Sequence, residues 1–202
     1  MKAIRISLMV LLVLALGGCN FYIFDGAPSV TLAVAKTILN SGEIVVLNAS
    51  VSHGSGPLTY KWEENGVDVL VNSPEYAYSK FVTSSKDITL KVTVTDSEGR
   101  AGSASTVITV VRPATSAIIR IINSSNYDAY YLYVSPASNG NWGPDQLRPN
   151  IVIIALCGSW DLSGVPAGNW DLKMVSFNSV HTWTLFNQPV SASVAYSWTL
   201  TN

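Results

Sequence analysis

The sequence predicts an all-β protein, built as two tandem β-sandwich domains behind an N-terminal export segment. Three observations carry that prediction. Period-two alternation is clearest from Ile88 to Thr95, where Ile88, Leu90, Val92 and Val94 point one way and Thr89, Lys91, Thr93 and Thr95 the other. Comparable short segments recur along the chain, separated by turn residues roughly every eight to twelve positions. Charged residues make up only 12% of the chain, while Thr, Ser, Val and aromatics are plentiful, the composition of strands with uncharged polar faces. Beyond residue 19 there is no amphipathic helical pattern of useful length.

The N-terminus is read first. Met1-Lys2-Ala3-Ile4-Arg5 is a short basic region, and Ile6 to Leu16 is an apolar run of Leu, Val, Met and Ile with one Ser and one Ala. A permanent membrane helix needs about 20 such residues, so this run has the length of a signal-peptide core. Leu16-Gly17-Gly18-Cys19 follows directly and resembles the lipobox cut by the lipoprotein signal peptidase. The resemblance implies a signal peptide over 1–18, cleavage before Cys19, and a diacylglycerol and an N-acyl chain on Cys19. Each methylene buried in the bilayer contributes about 0.8 kcal/mol, so the membrane would be held through a stable lipid anchor. Residues 19–27 form a tether. Asn20 is not the Asp that enterobacterial sorting reads as inner-membrane retention, so the outer membrane is expected where the organism has one. Removing Lys2 and Arg5 takes the formal charge from −1 to −3. That balance, without clustered Lys and Arg, excludes nucleic acid as a partner. About 183 residues remain, a length suited to two small domains.

In the first domain the strands are expected at Val30 to Val34, Glu43 to Leu47, Leu58 to Trp62, Tyr76 to Phe81, Ile88 to Thr95 and Ser105 to Val111, with a turn at Asp96-Ser97-Glu98-Gly99. Pro28-Ser29-Val30, Asn40-Ser41-Gly42-Glu43, Leu47-Asn48-Ala49-Ser50, Leu58-Thr59-Tyr60-Lys61-Trp62 and the run Leu90 to Gly99 resemble a PKD domain. That family is an immunoglobulin-like β-sandwich of extracellular proteins, and the resemblance covers residues 28–112. It implies an interaction or spacer role and makes Trp62 the core plug of a central strand. The chain departs from the family where Glu63-Glu64-Asn65-Gly66 replaces a Gly-Asp-Gly turn, which leaves a related immunoglobulin-like subtype open.

Arg112-Pro113-Ala114-Thr115 ends the pattern, because Pro113 cannot donate to a ladder. Residues 113–116 form a linker, and 117–202 a second, Trp-rich β-sandwich. Its strands are expected at Ala117 to Ile122, Tyr130 to Val134, Ile151 to Leu156, Ser159 to Leu162, Asn169 to Val175, His181 to Phe186 and Val194 to Thr201. Trp160-Asp161-Leu162 and Trp170-Asp171-Leu172 flank Val165-Pro166-Ala167-Gly168 and read as two strands joined by a turn, with both aspartates outward on adjacent strands. With Cys19 lipidated, Cys157 has no disulfide partner in the chain. Its place after an apolar run predicts a small buried side chain.

Catalytic and metal chemistry find little support. His53 and His181 are the only histidines, fall in different domains and sit in no nucleophile motif. Zinc-ligand spacing is absent, so neither a zinc site nor any other cofactor is expected. Calcium stays open as a reading of Asp96, Glu98 and the Glu63-Glu64 pair, which are also ordinary turn and strand-face acids. Trp142 carries the one functional expectation. It lies in Asn139-Gly140-Asn141-Trp142-Gly143-Pro144-Asp145, a loop, where a large ring either packs over the sandwich or stacks on a ligand. Asn141 and Asp145 are its candidate hydrogen-bonding neighbours. The expected protein is a non-catalytic envelope lipoprotein whose second domain binds a glycan or a protein. The alternative is an assembly role through edge-strand contacts with other envelope proteins.

Overall fold

The computed structural model describes residues 26–148 and 150–202; the export segment, Cys19 and most of the tether lie outside them. The described residues form strands, with one three-residue 3-10 turn at Phe177–Ser179. They gather into two sandwiches, each around its own buried cluster.

The first sandwich comprises β1 (Ser29–Val34), β2 (Ile38–Asn40), β3 (Val45–Ser52), β4 (Thr59–Glu64), β5 (Val67–Asp68), β6 (Glu75–Tyr78), β7 (Lys86–Thr95) and β8 (Ala101–Val111). One sheet has the order β1-β3-β6 and the other β2-β8-β7-β4-β5. That is an immunoglobulin-like layout, in which the first strand splits its allegiance between the two sheets. β7 alternates as its sequence predicts, with Ile88, Leu90, Val92 and Val94 buried. Trp62 is fully buried on β4, its Nε1 donating to the Ser73 carbonyl at 2.9 Å and its ring 5.3 Å from that of Tyr76. The departure at Glu63-Glu64-Asn65-Gly66 makes a two-residue hairpin between β4 and β5. Asn65 and Gly66 have φ of 49° and 82°, the left-handed pair that such a hairpin needs.

Asp96 closes the β7–β8 turn. Its carboxylate accepts from the backbone N–H groups of Ser55, Glu98 and Arg100 and from Arg100 Nε at 2.8 Å. Burial pushes this carboxyl upward, but the Arg100 guanidinium and the three backbone donors outweigh it and hold it below the ordinary range. A depressed folded-state value stabilises the fold above the unfolded value of about 3.9 and loses that contribution as pH falls through the folded one. Asp96→Asn is therefore expected to lower the melting temperature at pH 7. The gap between variant and wild type should close in acid below about pH 4. Thermal melts across that range check it, and a gap that is constant with pH would contradict the assignment.

The second sandwich comprises β9 (Ser116–Asn123), β10 (Ala129–Pro136), β11 (Gly158–Pro166), β12 (Gly168–Ser176), β13 (Thr182–Val190) and β14 (Ala195–Leu200). Its sheets have the orders β11-β9-β14 and β10-β12-β13, and β14 runs parallel to β9. Two expectations are corrected here. β11 and β12 do not form a hairpin: the chain crosses between sheets at Ala167, so Asp161 and Asp171 lie on opposite layers. Asp161 is held by Arg120 through two 2.8 Å bonds, while Asp171 accepts from the Asn187 N–H.

The apolar run Ile151 to Leu156 is the second correction, because it is no strand. Only Ile153 is buried, bridging to Ala129, while Ile151, Val152, Ile154 and Leu156 are exposed. Leu156 takes a left-handed φ of 67°, and the Gly158 N–H returns to the Ile154 carbonyl at 3.0 Å, closing a turn. Cys157 falls on the outside of that turn and is exposed as a free thiol, not buried. Hydrophobic content alone reads as strand; here the segment serves to cover the free edge of β10.

The two sandwiches touch through a buried polar clamp. The Ser41 hydroxyl donates to the Gly164 carbonyl at 2.7 Å and accepts from the Val82 N–H at 2.9 Å. Beside it the Phe81 ring meets Trp170 edge-on at 5.4 Å.

Candidate functional site

Alternation on the β10-β12-β13 sheet sorts its residues cleanly. Leu132, Val134, Leu172 and Met174 are buried, and Leu185 packs against the same core. Their neighbours Tyr131, Tyr133, Lys173, Thr184 and Phe186 take the opposite face. Register places Tyr133, Lys173 and Thr184 side by side.

The rings on this face form a continuous track. Phe177 lies 5.0 Å from Tyr130, Tyr130 lies 6.4 Å from Tyr131, and Tyr131 stacks on Tyr133 at 6.5 Å and 16°. Lys173 Nζ then sits 4.6 Å from the Tyr133 ring and 4.8 Å from that of Trp142. Trp142 in turn is 6.2 Å from Phe186. A cation between two ring faces contributes about 0.5–1 kcal/mol at such an exposed position. It also fixes the tilt of both rings. Exposure remains high, 63% for Phe186, 55% for Phe177 and 36% for Tyr131. Burial pushes the Tyr133 hydroxyl up.

The predicted site residues divide. Trp142 is half-buried and lies over Lys173, packing and presenting a ring at once. Asn141 is exposed next to it, its N–H held by Asn139 Oδ1 at 3.1 Å. Asp145 does not join them. It is buried, and its Oδ1 accepts from the backbone N–H groups of Leu132 and Leu147 at 2.9 and 3.0 Å. The reason is topological: β10 is the last strand of its sheet, and Leu132 needs an acceptor beyond that edge. Burial pushes the Asp145 carboxyl up, against the pull of those donors and of Arg148.

Sequence reasoning missed Lys173 and Phe186. A usable signal existed for the first, since Lys173 is the only lysine after Lys91 and stands between the core residues Leu172 and Met174. Phe186 gave none, because a β-bulge between Trp170 and Leu172 shifts the pairing of β12 with β13 near it. His181 lies away from the track, its ring stacked on Tyr127 at 5.1 Å and 4.5 Å from Trp183. Glu63 and Glu64, weighed for calcium, are ion-paired with Lys61 at 3.0 Å and Lys80 at 2.8 Å.

No family model and no curated protein matches the chain. Several solved structures are similar in fold. One is the PKD1 domain of the Vibrio cholerae metalloprotease PrtV, 22% identical over 43% of this chain and 99% of that domain, with a TM-score of 0.34. Another is a structure of carbohydrate-binding modules from the β-sandwich superfamily, 15% identical over 74% of this chain and 58% of that one, with a TM-score of 0.39. A third is SGBP-B of the Bacteroides ovatus mixed-linkage glucan utilization locus, in complex with a mixed-linkage heptasaccharide. It is 13% identical over 83% of this chain and 48% of that one, with a TM-score of 0.34. At these scores the likenesses concern β-sandwich layout, and the ligands of those proteins are their own.

Proposed function

We propose that this chain is a non-catalytic cell-envelope lipoprotein whose second sandwich binds a glycan on the outer face of the β10-β12-β13 sheet. The observation that supports this reading best is the aromatic track from Phe177 to Phe186, with Trp142 held over Lys173. Sugar rings have an apolar face that lies flat on an aromatic ring, and their hydroxyls take the hydrogen bonds beside it. Here Tyr133, Lys173 and Asn141 supply those donors and acceptors. A contiguous exposed aromatic surface on a single chain marks an interaction site. In this reading Cys19 carries the lipid, the first sandwich is the spacer, and the outer membrane is the location where the organism has one.

A glycan array probed with the full chain, held in a detergent without a sugar headgroup, tests it. Trp142→Ala is expected to weaken binding at least about tenfold, about 1.4 kcal/mol, with the melting temperature little changed. A blank array, or hits indifferent to Trp142→Ala, would sink this reading.

One observation favours a second reading, assembly through edge strands. β14 is an outer strand of six residues, AYSWTL, with no Lys or Pro to block pairing. Concentration-dependent self-association unaffected by Trp142→Ala would select it.

A further inference from the structure

The aromatic face is not the only recess with unspent chemistry. Between the two sandwiches lies a cleft of about 530 Å³, within the range of small-molecule sites. Glu64, Tyr76 and Lys80 line it from the first sandwich, and Arg148, Trp160 and Ser163 from the second. The clamp at Ser41 and Gly164 holds these two walls at a fixed spacing.

Arg148 is the group left unsatisfied. Its Nη1 is buried without a hydrogen-bond partner, and its nearest carboxylate oxygen, Asp145 Oδ2, is 3.8 Å from Nε. Asp145 cannot serve it better, because its Oδ1 is committed to the backbone of Leu132 and Leu147. A guanidinium carries five donors in a plane, matched to a planar oxyanion, and a buried donor left unpaired is unfavourable. Lys80 is different: Glu64 already neutralises it at 2.8 Å. Lys86 also lines the cleft, but Arg148 is the cation there with a buried nitrogen left unpaired.

Its other walls narrow the ligand. Trp160 is half-buried and packed against the second core, giving an apolar ring surface. Glu64 and Asp161 also line the cleft, each held by a basic side chain and each with lone pairs to accept hydroxyl protons. Asp68 and Asp145 line it as well, and four acids against Lys80, Lys86 and Arg148 disfavour a doubly charged guest. A single negative charge, a planar carboxylate, several hydroxyls and an apolar ring face meet all of these conditions together.

We propose that this cleft binds a small saccharide bearing one carboxylate, with Arg148 pairing the carboxylate and Trp160 stacking on the ring. This site is separate from the aromatic face and stands whether or not that face binds a glycan.

The test titrates the full chain, in a detergent without a sugar headgroup, with glucuronate, glucose and a hexose phosphate. Indole and backbone N–H spectra provide the readout. Glucuronate is expected to shift the Trp160 indole saturably and leave that of Trp142 in place. Its affinity should exceed that for glucose at least about tenfold, the weight of one charge-assisted hydrogen bond. Arg148→Gln should abolish that preference, and Arg148→Lys should keep part of it. The proposal is overturned if glucose binds as well as glucuronate, if the hexose phosphate binds tighter, or if the Trp160 indole does not move. It is equally overturned if Arg148→Gln, with a native spectrum, keeps the preference. Should that variant not fold, the wild-type comparison and the indole that shifts decide the matter.

Discussion

Trp62→Ala is expected to cost the first sandwich about 3–5 kcal/mol, most of the stability a small domain has. The side chain is fully buried on β4, which pairs with β7 along its whole length, and it faces Val92 across that pairing. Removing it opens a cavity between the two sheets, takes away one of the two ring partners of Tyr76 and leaves the Ser73 carbonyl without its donor. The neighbours that could close the gap are themselves strand residues fixed by ladder hydrogen bonds, so collapse is limited. Urea denaturation followed by circular dichroism checks the value. A loss below about 1 kcal/mol would mean that Trp62 is not the plug of this core.

The second large effect is expected at the junction, from Gly164→Ala. Gly164 has a φ of 81°, a conformation that costs an L-residue about 1–2 kcal/mol. A Cβ there would also lie 2.4 Å from the Val82 carbonyl oxygen and 2.6 Å from its carbon. Backbone cannot step aside as a side chain can, so the two sandwiches must separate locally, and the Ser41 clamp goes with them. The Val82 N–H, which donates to Ser41 Oγ, reports on this directly. Its hydrogen exchange should rise roughly thirtyfold, for a loss of about 2 kcal/mol of protection. Amides in the middle of β7 should be unaffected. Unchanged exchange at Val82 would show that the modules are not held by this contact.

These two residues differ in how far the sequence reveals them. Trp62 was legible, because a Trp on an alternating strand in a recurrent sandwich pattern has one sensible place. Gly164 was not, since nothing local says that Val82, eighty-two residues earlier, will pass against it. The same divide runs through the fold. Long strands such as β7 and β8 announce themselves by period, whereas β2 and β5, with three and two residues, are too short to have one. Asn65-Gly66 is a legible hairpin signal, the pair that a two-residue turn prefers.

In the candidate site, Trp142 could be singled out as a large ring in a turn-rich loop. The partners that give it meaning, Lys173 and Phe186, come from two other strands and are brought beside it only by sheet order. Asp145 misled for a related reason. Three residues from Trp142 in sequence, it serves the outer edge of β10, a duty visible only once β10 is known to be an edge. Ile151 to Leu156 misled by composition, since an edge cover and a buried strand use the same apolar residues.

The parallel pairing of β14 with β9 has a consequence for biogenesis. β9 begins the second sandwich, yet one of its two neighbours, residues 195–200, comes at the far end of that module. As the chain emerges from a ribosome, the first sandwich has all eight of its strands by Val111 and can close at once. The second stays open along one side of β9 until β14 arrives, seventy-seven residues later by register. Contacts so distant in sequence form slowly. The order of emergence thus makes the first sandwich a folded platform on which the second is completed.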